Sequence, residues 1–190
     1  MTLQISIVLV AASLLLGGCE KSMTIPEYRS WLFSDESGLT STVRRGDREY
    51  SVTILPVKWR QTVNPEASGT VTALLTITPA DPTVPDASFD GVTSFEQYGE
   101  RVADIAFHIP QMTTLVIDGK EVKALGAQLA YAQSLKRPVS LYVTFNIEEN
   151  ALRQGSEITI QFDDQVYGEG KMIHHFSIEN IASRVPERTS

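Results

Sequence analysis

The sequence predicts a mainly β fold: a two-sheet β-sandwich, immunoglobulin-like or related, with one embedded amphipathic helix. Three observations lead there. Seven stretches of the 190-residue chain alternate apolar and polar residues, with turn signals between them. One stretch, near residues 94–109, has extended helical spacing instead. The single cysteine allows no intrachain disulfide, so that many half-apolar strands must be held by burying their faces against one another.

Taken in order, Pro26 followed by Glu27, Tyr28, Trp31 and Leu32 suits a short helical turn with proline at its first position, ended by Gly38. Tyr50, Val52 and Ile54 alternate with Ser51, Thr53 and Leu55 until Pro56. From 70 to 78, Val71, Ala73, Leu75 and Ile77 share one face and threonines fill most of the other, as a half-exposed strand prefers. Residues 79–92 hold three prolines, three aspartates and Gly91, and are predicted to be a loop. Ser94 then caps a helix, with Gln97 at the capping-box position. Phe95, Tyr98, Val102, Ile105 and Ile109 form its apolar face, and Pro110 stops it. Asp118-Gly119 between Leu115-Val116-Ile117 and Glu121-Val122 is a strong hairpin signal. Residues 121–135 fit either strand or helix. Val139 to Ile147 alternates without a break, 148–154 could make one helical turn ending at Gly155, and strands follow at 158–162 and about 171–178.

The amino-terminal segment is of another kind. Residues 5–16 are uncharged and largely apolar, and they run into Leu16-Gly17-Gly18-Cys19. That run is shorter than the roughly 20 residues a spanning helix needs, but it suits a secretion signal. The stretch resembles the lipobox of bacterial lipoproteins: Leu, two small residues, then Cys. The resemblance implies diacylglyceryl transfer to the Cys19 thiol, cleavage before Cys19 and acylation of the new amine, palmitate being a usual chain. Residues 2–4 are Thr-Leu-Gln and so lack the Lys or Arg usual in that family. In the enterobacterial sorting pattern Asp after the Cys marks inner-membrane retention, so Glu20 points to the outer membrane. The expected organisation is a signal peptide at 1–18, lipidated Cys19 and a short tether to 27, one β-sandwich domain over 28–183, and a polar tail at 184–190. At about 3.3–3.6 Å per residue, Glu20 to Pro26 reaches only about 25 Å, which keeps the domain near the bilayer.

Residues 1–18 carry no Lys, Arg, Asp or Glu, so the formal charge of −7 belongs wholly to the rest of the chain. An acidic domain with no basic run longer than Arg44-Arg45 repels nucleic acid. The three histidines are His108, His174 and His175. His108 ends the helix, where a cation complements the dipole. His174 and His175 are adjacent on a strand and face opposite ways, so they cannot readily share a metal. Asp81, Asp86, Asp90 and the pair Asp163-Asp164 do not have the spacing of a calcium loop and read as turn residues. No Gly-x-Ser-x-Gly elbow or phosphate loop occurs, and Ser68-Gly69 and Gly155-Ser156 read as loops. Arg45-Gly46-Asp47 matches the integrin-binding tripeptide but is also an ordinary turn before a strand. Trp31 belongs to a core, and Trp59, in Lys58-Trp59-Arg60, is either an exposed anchor or a rim residue.

These readings converge on a non-catalytic envelope lipoprotein that binds or helps assemble a protein partner. It would hold membrane lipid through acylated Cys19 and use no cofactor or metal. The loop at 79–92 and the following helix are its expected recognition surface. The competing expectation is an envelope hydrolase or carbohydrate-active protein with a site near Asp163, Asp164, His174 and His175, which a concave pocket joining at least one of these carboxylates to a histidine within hydrogen-bond reach would support.

Overall fold

The computed structural model describes residues 24–56, 70–84, 87–130, 138–147 and 157–178. Cys19 and the signal segment, Trp59, Asp86, the loops at 68–69 and 155–156, the turn expected at 148–154 and the tail lie outside them. The first helix, α1 (Ile25–Leu32), begins as its sequence requires. The Glu27 N–H donates to Thr24 Oγ1 at 3.4 Å, and the Thr24 N–H donates to the Glu27 carboxylate at 2.8 Å. This reciprocal box satisfies donors that the helix leaves unpaired. Tyr28 and Leu32 are buried, with the Trp31 ring 5.5 Å from that of Tyr28. The helix ends earlier than expected. A separate 3₁₀ turn (Asp35–Ser37) carries the chain on to Gly38, which takes the left-handed φ of +63°.

Among the described residues eight strands follow, not seven: β1 (Thr40–Arg45), β2 (Arg48–Leu55), β3 (Thr70–Pro79), β4 (Thr113–Ile117), β5 (Lys120–Leu129), β6 (Val139–Asn146), β7 (Glu157–Asp164) and β8 (Gly170–Ser177). The 121–135 ambiguity resolves as strand through Leu129. All neighbours are antiparallel, in the order β1-β2-β3-β6-β5-β4-β7-β8. This is one sheet, and the expected pair of sheets is therefore corrected. The agent is β5. Its residues 120–123 pair with β4 and its residues 124–129 pair with β6, with a register shift between Ala124 and Gly126. A strand that changes partner at a bulge turns a corner and makes two half-sheets continuous.

The sheet curls until its first and last strands approach. Inside lie Tyr50, Val52, Ile54, Val71, Leu75, Ile77, Leu115, Val143, Phe145, Ile160, Phe162 and Phe176, all at 2 % exposure or less. Tyr28 and Leu32 of α1 join the same continuous core. On the outer face, Thr72 and Thr144 hydroxyls lie 3.3 Å apart, and Thr76 and Ser140 hydroxyls 3.0 Å apart.

At the β1–β8 seam the described residues form no backbone ladder. The Ile54 N–H donates to the Leu39 carbonyl, so alternation turns the main-chain groups of Thr40, Thr42 and Arg44 away from β2 and towards the seam. A side chain spans it instead: His174 Nδ1 lies 3.1 Å from the Ser41 carbonyl and 3.2 Å from Ser41 Oγ.

The second helix, α2 (Phe95–Met112), packs over β5 and β7. Ser94 caps it by accepting from the Gln97 N–H at 3.2 Å. The Gln97 side chain reaches one residue further back than a capping box, accepting from the Thr93 N–H and hydroxyl at 2.9 Å. Ile105 and Ile109 enter the core, but Phe95 is 88 % exposed, its ring 6.2 Å from that of Tyr98. Pro110 does not stop the helix, which runs two residues further. Thr113 then ties off the end, its hydroxyl donating to the Ile109 carbonyl at 2.7 Å and its N–H to the Pro110 carbonyl.

Candidate functional site

The four residues of the hydrolase expectation do not meet. Strand alternation puts Asp164 and His174 inside and Asp163 and His175 outside. Asp164 is 1 % exposed and fully engaged: one oxygen accepts from the Tyr50 hydroxyl at 2.6 Å, the other from the Val166 and Tyr167 N–H groups at 3.0 and 3.1 Å. Burial, then the Asp164 bond, drives the Tyr50 phenol far above its ordinary pKa. His174 is fully buried, and burial lowers its pKa to about 4 against the opposing Ser41 bond. His175 lies 2.7 Å from Glu157 and His108 lies 3.0 Å from Asp104, both pairs exposed. Neither pair includes Asp163 or Asp164.

The remaining aspartates serve separate turns. Asp81 accepts from the Thr83 N–H at 2.8 Å and hydroxyl at 2.7 Å, and these bonds hold its carboxyl below the ordinary range. Asp90 pairs with Arg48, whose guanidinium also reaches Glu169 at 3.2 Å. Beside them the Tyr167 ring is clasped between two cations, Arg48 at 4.3 Å and Arg101 at 4.7 Å. Tyr167 donates to the Ala87 carbonyl at 2.9 Å, and burial pushes its phenol up to about 12. The described end of the 79–92 loop is thus pinned to the sheet's rim. Arg45-Gly46-Asp47 forms the exposed β1–β2 tip. Gly46 has φ +49°, which favours glycine by conformation, while a Cβ there would meet only the movable carboxylate end of Glu169.

What the fold does assemble is an open cleft of about 610 Å³ on the outer face of β4, β5, β7 and β8, under the last turn of α2. Thr114 and Gln161, opposite each other in register, form its floor. Glu121 and Lys123 rise on the β5 side, and Asp163 and Lys171 on the β7–β8 side. His108, Gln111 and Met112 close it from the helix. The Lys123 ammonium donates to Thr114 Oγ1 at 2.9 Å, which holds it over the floor. No family model, curated protein or solved structure matches this chain. Function must be argued from its own residues.

The four charged walls make no ion pair with one another, and Asp163 accepts only from Gln165 at 3.3 Å among the described residues. Sequence reading missed this cleft except for Asp163. Alternation marks Glu121, Lys123, Gln161 and Lys171 as outward, but outward residues converge only once β5, β4, β7 and β8 are known to be neighbours.

Proposed function

We propose that the protein is a lipid-anchored cell-envelope lipoprotein whose β domain binds a partner or ligand without chemical turnover. The observation that carries the anchor is Leu16-Gly17-Gly18-Cys19 at the end of an uncharged apolar run. A thiol is the one side chain there able to form a stable thioether, and two or three acyl chains at about 0.8 kcal/mol per buried CH₂ hold a protein to a bilayer durably. Glu20 favours the outer membrane. The binding reading is supported by a sheet whose inside is packed with side chains and whose outside presents a cleft lined by charges of both signs that make no ion pair with one another among the described residues. The dispersal of Asp163, Asp164, His174 and His175 weighs against the hydrolase.

Replacing Cys19 by Ser is expected to abolish metabolic labelling by palmitate and to move the protein from the membrane pellet to the soluble fraction. A Cys19→Ser protein that stays in the pellet through a high-pH wash would point to an uncleaved apolar helix instead.

A further inference from the structure

From the geometry of the cleft we infer that it receives a short peptide through both free ends, the carboxylate at Lys123 and the amine at Asp163. The inference deepens the binding reading and rests on it. The register fixes how far apart the two charges stand. Lys123 is opposite Thr114, Thr114 is opposite Gln161, and Asp163 lies two residues along β7 from Gln161. Two strand spacings of about 4.8 Å and one two-residue step of about 6.8 Å separate the Cα atoms by about 12 Å. The ends of an extended tripeptide, at about 3.3–3.6 Å per residue, lie about 10 Å apart, so they meet both groups when the Lys123 ammonium swings off Thr114 Oγ1 and stands above its own strand.

The chemistry between the ends agrees. A peptide presents amide N–H and carbonyl groups along its length. Gln111, Gln161 and Gln165 each offer both a donor and an acceptor, and Thr114 adds a hydroxyl. No Phe, Tyr or Trp among the described residues lines the cleft, so the broad stacking face that sugar binding uses is missing from it. The other opposite pair, Glu121 and Lys171, is three strands and four residues apart, about 20 Å, too far for the ends of a tripeptide. Those two charges instead lower the field at Lys123 and Asp163. The site therefore disfavours ligands that carry charge of only one sign.

The test is an isothermal titration of the full chain in detergent with tri-alanine, its N-acetyl form, its C-amide and the doubly blocked peptide. Saturable binding of tri-alanine is expected, with at least a tenfold loss on blocking either end. Lys123→Gln should cost the free carboxylate's contribution, so that this variant no longer distinguishes the peptide from its C-amide. Asp163→Asn should do the same for the N-acetyl form. Both side chains are exposed, and an unchanged melting temperature confirms the fold. Equal binding of the doubly blocked peptide, or no binding of tri-alanine at millimolar concentration, overturns the inference. Capture of an envelope partner by the same full chain, lost in the cleft variants while tri-alanine fails to bind, would keep the binding module and discard the peptide.

Discussion

His174 occupies the interior side of the seam, where its ring meets Ser41 and its Nε2 finds no partner among the described residues. Burial favours the neutral imidazole, and the pKa of about 4 lies below the ordinary 6.5. The unfolded chain therefore takes up this proton at higher pH than the native one. The stabilising effect is complete above about pH 6.5 and is lost progressively as pH falls towards 4, by roughly 3 kcal/mol in all. Urea unfolding followed between about pH 7 and pH 4.5 should show that loss, and His174→Gln should flatten the curve. Identical slopes for the two proteins would place the acid sensitivity elsewhere. The opposed faces of His174 and His175 were legible in their adjacency. Which of them pointed inward depended on sharing a face with Met172 and Phe176.

Among the elements, β6 was the plainest to read, because Leu141, Val143, Phe145 and Ile147 alternate without interruption and all four are buried. Phe145 is fully enclosed, so Phe145→Ala is expected to cost about 3–5 kcal/mol in a denaturant titration. A loss below about 1 kcal/mol would mean that the surroundings collapse onto the gap, contrary to a close-packed interior. The strand that went unread was β1. Thr-Ser-Thr-Val-Arg-Arg offers one strongly apolar residue, Val43, and its place in the sheet comes from pairing with β2 across the Gly46-Asp47 turn. Asp118-Gly119 was easier, since φ values of +49° and +75° are those its residue types accept in a two-residue hairpin. The helix α2 was visible from its period, while Phe95 misled because helical spacing assigns a residue to a face and not to a packing partner.

For the whole molecule, the alternation that announced a mainly β fold could not separate two sheets from one nearly closed sheet. Both arrangements bury one face of every strand. The decision rests with long-range neighbours, above all the change of partner along β5, and no local pattern records it. The candidate cleft is hidden for the same reason, its walls coming from β5, β7 and β8. One continuous core joins α1, α2 and the sheet. Thermal or urea unfolding should accordingly appear as a single transition, with tryptophan fluorescence and far-ultraviolet circular dichroism superimposing. Two separated midpoints would divide the chain into independent units.

An incomplete ring of strands also leaves two lips, and lips of this kind invite a neighbouring molecule to continue the sheet, copy upon copy. Here they are guarded. Arg44 and Arg45 stand on one and Lys171 on the other, against the acidic balance of the chain as a whole. Copies approaching lip to lip would bring cation towards cation before main-chain groups could meet. Cations on both lips are of the kind that discourages a neighbouring copy from extending an unfinished edge.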